Sequence, residues 1–156
     1  MCGERESPGT DTSDTILLGR KMTDGFIKYW EQVITQLDSP EYSFCQKMVS
    51  IPKVVFSKTL NKIEGKNVRV ENSPIIDAVN RLKGHTGKDI IVYGRATFVS
   101  SLIENGLIDE PNLFVNPVTI GAGMRIFCDR RPLRLAGSTA YASGIVVNTY
   151  GPQRSA

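Results

Sequence analysis

Three short apolar runs end in a glycine or serine followed by a cation. Leu17-Leu18 leads into Gly19-Arg20-Lys21, Val55-Phe56 into Ser57-Lys58-Thr59, and Val92-Tyr93 into Gly94-Arg95-Ala96-Thr97. These residue types suit the capture of an anion. Guanidinium pairs phosphate oxygens two at a time. Glycine lets a ligand approach the backbone, and a helix starting there offers free N–H groups and the positive end of its dipole. In an open α/β sheet the ligand crevice lies at the carboxyl ends of the strands, so Arg20, Lys21, Lys58 and Arg95 are predicted to converge on one anionic ligand. Neither Gly-x-Gly-x-x-Gly nor Gly-x-x-x-x-Gly-Lys-Ser/Thr occurs at these turns, so the Rossmann and P-loop fingerprints are both missing.

Other chemistries have few residues to work with. His85 is the single histidine and reads as a loop residue, which removes the basis for a Ser-His-Asp triad or a histidine zinc site. Ser57 and Thr59 have no base placed to activate them and read as cofactor or turn hydrogen-bonding residues. Asp109-Glu110 fall between a helix and a strand, where polar turn residues belong. Trp30 lies on an apolar stripe with Phe26 and Ile34 and is assigned to the core. Cys2, Cys45 and Cys128 show no paired spacing, so reduced thiols are expected, with Cys45 and Cys128 as packing residues. No residue pattern marks a metal site, and none identifies a catalytic residue.

The elements that position the three turns follow from the apolar pattern. Residues 1–13 carry no apolar periodicity and are predicted to be a disordered lead-in. A single domain is expected over 14–151, with a tail at 152–156. Thr15-Ile16-Leu17-Leu18 reads as a buried strand, and Phe26, Ile27, Trp30, Val33, Ile34 and Leu37 at spacings of three and four read as a helix stopped by Asp38-Ser39-Pro40. Strands are predicted at Lys53-Val54-Val55-Phe56-Ser57, Val68-Arg69-Val70 and Asp89-Ile90-Ile91-Val92-Tyr93. Ser73 and Pro74 read as the cap and first position of a helix that ends near Gly84. A further helix runs over 97–103 and a strand over 112–118, and the two runs 133–141 and 144–150 form a hairpin. Alternating strands and helices followed by a hairpin give an α/β class with a mainly parallel sheet.

At 156 residues, with 40% apolar and 22% charged side chains, the chain is long enough to bury a core without disulfides or metal. A net charge of +3 with no dense basic stripe argues against nucleic acid as a partner. No run approaches the roughly 18 apolar residues that span a bilayer, so no membrane partner and a cytoplasmic location are expected.

The motifs Asp14-Thr15-Ile16-Leu17-Leu18-Gly19-Arg20-Lys21, Tyr29-Trp30, Val55-Phe56-Ser57-Lys58-Thr59-Leu60, Asp89-Ile90-Ile91-Val92-Tyr93-Gly94, Leu107-Ile108-Asp109-Glu110 and Pro117-Val118-Thr119-Ile120-Gly121-Ala122-Gly123 resemble the dihydrofolate reductase-like superfamily. Within it the chain is similar to the C-terminal reductase domain of bacterial riboflavin biosynthesis and its stand-alone relatives. The resemblance implies a three-layer α/β sandwich with a mostly parallel central sheet and a C-terminal antiparallel hairpin. It also implies an NADPH-dependent oxidoreductase resembling 5-amino-6-(5-phosphoribosylamino)uracil reductase, moving a hydride to a carbonyl or imine carbon of a small-molecule substrate. Gly19, Arg20, Lys21, Ser57, Lys58 and Thr59 would hold the adenosine phosphates, and Gly94, Arg95, Ala96 and Thr97 the pyrophosphate and nicotinamide side. A homodimer is implied as well.

Three departures accompany the resemblance. The family's opening strand with its Leu-Asp-Gly-like turn has no counterpart in residues 1–13, and Met22 stands where threonine is usual. Arg95 follows Gly94 where relatives carry a small residue. A cis bond before arginine would cost about 3 kcal/mol, so a trans or visibly strained peptide is expected. The alternative function is a catalytically silent nucleotide-binding or dimerisation module.

Overall fold

The computed structural model describes residues 12–85 and 87–152, so most of the expected lead-in and residues 153–156 of the tail lie outside the described residues. Among the described residues the elements run β1 (Ser13–Gly19), α1 (Arg20–Val33), α2 (Tyr42–Ser50), β2 (Lys53–Phe56), β3 (Val68–Glu71), α3 (Ile75–Lys83), β4 (Asp89–Tyr93), α4 (Ala96–Glu104), β5 (Asn112–Val115), β6 (Leu133–Ala140) and β7 (Val146–Pro152). The chain divides into two compact units between Val99 and Ser100.

The first unit is built on a parallel sheet in the order β3-β2-β1-β4. A central parallel strand is covered on both faces, which requires consecutive apolar residues. β1 meets that requirement, with Ile16, Leu17 and Leu18 almost completely buried, and Val54 and Val55 do the same in β2. Helix α1 turns Phe26, Ile27 and Val33 inward, and Ile16, Leu18, Phe26, Met48 and Val55 form the core, flanked by Trp30 and Tyr93. The helical stripe ends at Val33, because Ile34 already closes the helix and Leu37 stands exposed beyond it.

Helix α2 has no counterpart among the expected elements. It buries Cys45 and Val49 against Val33 and Met48 in the main core, but its nine residues start without a side-chain cap, so only a weak apolar period marks it. Its end is closed from outside: the buried Lys53 Nζ donates to Val49 O (3.0 Å) and Ile51 O (2.9 Å). Burial pushes the Lys53 ammonium down to about 8, partly offset by Glu31.

Ser73 does not cap α3. Its hydroxyl donates instead to the Glu71 carboxylate, and Pro74 occupies the cap position. Gly84 closes that helix as expected.

The second unit contains a separate antiparallel sheet in the order β5-β7-β6. The expected hairpin is β6–β7, turning at Gly144 with φ +88°. β5 adds to it, pairing Phe114 with Val147, so the antiparallel part has three strands rather than two. Leu102, Ile103, Leu107 and Val147 are its buried apolar residues. Cys45 packs as expected, its thiol against Trp30 O, whereas Cys128 is exposed. Cys128 falls in the irregular segment 116–132, where no strand or helix covers it. No helix among the described residues is long and apolar enough to cross a membrane.

Candidate functional site

Strand register brings the three turns to one place. Gly19 pairs with Phe56 across β1 and β2, and Leu18 pairs with Tyr93 across β1 and β4. Gly19, Ser57 and Gly94 therefore end three neighbouring parallel strands at the same level. The chain steps from β1 outward to β2 and β3, then returns to the far side of β1 as β4, and a change of direction of this kind opens a crevice at the carboxyl ends. The ten candidate residues follow or close these three strands, with Arg20, Lys21, Lys58, Thr59, Arg95 and Thr97 exposed and Gly19 and Ser57 buried.

Two helices begin at this crevice. α1 starts directly after Gly19, with no side-chain cap and no acidic residue in its first turn. In their place stand Arg20 and Lys21, both exposed, with Arg20 only loosely paired to Asp24 at 3.6 Å. Cations at the positive end of a helix dipole are unfavourable unless an anion lies between them and the free N–H groups. α4 opens after Gly94-Arg95 in the same manner, without an acid in its first turn. The Arg95 carbonyl accepts from Phe98 N (3.0 Å) and Val99 N (3.1 Å), while the Arg95 side chain is exposed. The bond before Arg95 is trans, as are all peptide bonds among the described residues.

The third turn is held by side chains. Ser57 is buried and its Oγ accepts from Thr59 N (3.3 Å) and Leu60 N (3.0 Å), so this hydroxyl shapes the loop. Asn72 Nδ2 donates to both Ser57 O (2.6 Å) and Leu60 O (2.8 Å). Lys58 and Thr59 remain exposed on the loop so fixed. Sequence reasoning missed Asn72; its signal is an amide directly after β3, where a side chain with two donors can reach a neighbouring loop. At the same strand end Ser73 and Arg81 hold Glu71 below the usual carboxylate range, with the Ser73 hydroxyl contributing most and Arg81 Nη2 standing 3.0 Å away.

The glycines at 19 and 94 have a different neighbour from the one the sequence suggested. A Cβ on Gly19 would sit 3.2 Å from Phe98 Cγ and Cδ1, and one on Gly94 would collide with Phe98 Cδ1. The phenyl ring, rather than an open approach for a ligand, occupies the space over both.

Trp30 is partly buried among Phe26, Tyr29 and Phe44, and the Tyr29 hydroxyl donates to Glu41. His85 is exposed just after α3, and Asp109 and Glu110 are exposed in the link between α4 and β5.

A profile of the RibD C-terminal domain matches residues 9–147. An uncharacterised protein of Bacillus subtilis (strain 168), YyaP, is 37% identical over 142 residues, which cover 88% of this chain and 73% of YyaP. A Shewanella sp. PV-4 protein provisionally assigned to riboflavin biosynthesis superposes with a TM-score of 0.66 at 19% identity, covering 93% of this chain and 77% of that one. RibD of Acinetobacter baumannii superposes at 0.61 with 14% identity over 91% of this chain, which spans 47% of that protein.

Proposed function

The chain belongs to the RibD C-terminal domain family and has its dihydrofolate reductase-like α/β fold, and from this premise we propose that it is an NADPH-dependent reductase of the riboflavin-biosynthesis type, acting in the cytoplasm on a small substrate. The observation that carries the reading is the meeting of Gly19-Arg20-Lys21, Ser57-Lys58-Thr59 and Gly94-Arg95-Ala96-Thr97 at the carboxyl ends of three adjacent parallel strands.

The donor set fits the cofactor. Arg20 and Lys21 with the first N–H groups of α1, and Arg95 with those of α4, suit a diphosphate. Lys58 and Thr59 stand two and three residues beyond the end of β2, exposed and with no acid beside them in the loop. A cation and a hydroxyl there suit a ribose 2′-phosphate. When bound, NADPH supplies the hydride that reduces a carbonyl or imine carbon of the substrate. The protein's own part is to hold the phosphates, fix the turns and set the charge around them.

Titration with NADPH, followed by quenching of the single Trp30, tests the reading. Saturable binding that prefers NADPH to NADH, with the preference falling about tenfold in Lys58→Ala, supports it. No binding at about 1 mM cofactor, weaker than roughly −4 kcal/mol, favours the silent module instead.

A homodimer accompanies the proposal. β6 is the edge of its sheet with all eight residues exposed, Leu133 and Leu135 among them, and an open apolar edge of this length invites a further strand. A clean monomer at micromolar concentration in size-exclusion chromatography counts against pairing.

A further inference from the structure

We propose that Phe98 is a positioning residue for the cofactor site, a wedge that sets the spacing between the Gly19–Lys21 and Gly94–Thr97 turns. The inference rests on the NADPH reading and concerns a residue outside the set that would touch phosphate.

The geometry is specific. Phe98 lies in the first turn of α4, yet its ring leaves that helix to cover the backbone of Gly94 and, across the neighbouring strand end, of Gly19. On Gly19 a Cβ would come within 3.3 Å of Phe98 Cβ, Cγ and Cδ1, tighter than ordinary van der Waals contact. On Gly94 it could not be accommodated with the ring where it stands. Neither glycine adopts a positive φ, so neither is required by its backbone conformation. Room for the ring accounts for both.

The ring also meets Phe56, the last residue of β2, with centroids 6.0 Å apart and planes inclined at 37°. One side chain therefore touches the ends of β4, β1 and β2, the three strands whose turns carry Arg95, Arg20 with Lys21, and Lys58. On the NADPH reading, the starts of α1 and α4 would together hold the diphosphate. The distance between them is fixed by what is packed between the two glycines, and among the described residues the atoms nearest to both belong to this side chain.

A double-mutant cycle between residues 98 and 94 tests the wedge, read as NADPH affinity by Trp30 quenching on variants whose thermal transitions show them folded. Phe98→Ala and Gly94→Ala are each expected to weaken NADPH binding about tenfold, since small misplacements of binding groups are costly. Phe98→Leu, which keeps most of the bulk, is expected to stay within about threefold of the parent. Combined, Phe98→Ala and Gly94→Ala are expected to be non-additive, because the methyl group added at position 94 enters the space the ring vacates. A ring that only stabilises the unit would lower the melting temperature and leave affinity unchanged. That result, or strictly additive losses of affinity, overturns the inference while leaving the NADPH reading intact. Failure of the parent protein to bind NADPH overturns both.

Discussion

Helices α1 and α3 belong to the same compact unit and treat their dipoles in opposite ways. α3 has Asp77 in its first turn and Arg81 and Lys83 in its last, the arrangement that stabilises a helix at both ends. α1 has no acid at its start, no base at its end, and Arg20 and Lys21 where an acid belongs. The two also differ in position along the sheet. α3 begins after the edge strand β3, whereas α1 begins after the central strand β1 beside the proposed cofactor. A helix with only structural work is arranged for its own stability, and the anion site proposed at α1 would cost part of that stability in the free protein.

Reversing the charge at the crevice gives the largest expected effect. Lys21→Glu combined with Arg95→Glu should weaken NADPH binding by about 100-fold or more, near 2.7 kcal/mol. The same change places acids at two helix starts, each worth about 0.3–1 kcal/mol, so the melting temperature should hold or rise. Calorimetry beside the binding titration reads both quantities. A loss of affinity accompanied by a loss of stability would contradict the contrast drawn between the helices.

A second test concerns α2, whose carboxyl end is closed by the buried Lys53 ammonium rather than by a residue of its own. Burial lowers this group from 10.5 to about 8 in the folded chain. Between about pH 8 and pH 10.5 the unfolded chain then holds the extra proton, so this group's contribution makes stability rise with pH across that window. Cys45 acts in the opposite direction, because burial raises its thiol above the usual range and the folded chain resists its ionisation. The Lys53 part is therefore read as a difference. Denaturation midpoints of the parent should gain on those of Lys53→Met from pH 8 to pH 10.5, and parallel curves would exclude the effect.

The smallest effect is the control. Asp77→Lys removes the favourable charge at the start of α3 and should cost about 0.3–1 kcal/mol, with NADPH affinity unchanged. A change in affinity would mean that charge at α3 reaches the crevice, and the two helices would no longer be separable.

Much of this was legible in the chain because a buried parallel strand leaves a plain mark. Ile16-Leu17-Leu18 and Ile90-Ile91-Val92 run up to a glycine directly or one residue on, and that punctuation locates two of the turns without any knowledge of register. Long-range side-chain contacts were not legible. Lys53 reads as the polar start of a strand until its ammonium is seen on the last carbonyls of α2. Ser73 before Pro74 has the local signature of a cap, and a carboxylate two residues upstream takes its hydroxyl instead. Gly19 and Gly94 stand at the expected positions beside an unexpected neighbour, since nothing local shows that Phe98 will lie over both. The separation of the antiparallel sheet was likewise hidden, because the pairing of β5 with β7 joins residues far apart in the chain.

The double hydrogen bond from Asn72 has a kinetic consequence. By tying Ser57 O and Leu60 O to one side chain, it gives the loop carrying Lys58 its shape at the moment of folding. The anion proposed to bind here would then meet a preformed surface, with little ordering entropy left to be lost on binding. Encounter on this side of the crevice should depend on diffusion and ionic strength rather than on the closing of a flap, so raising the salt would slow association there.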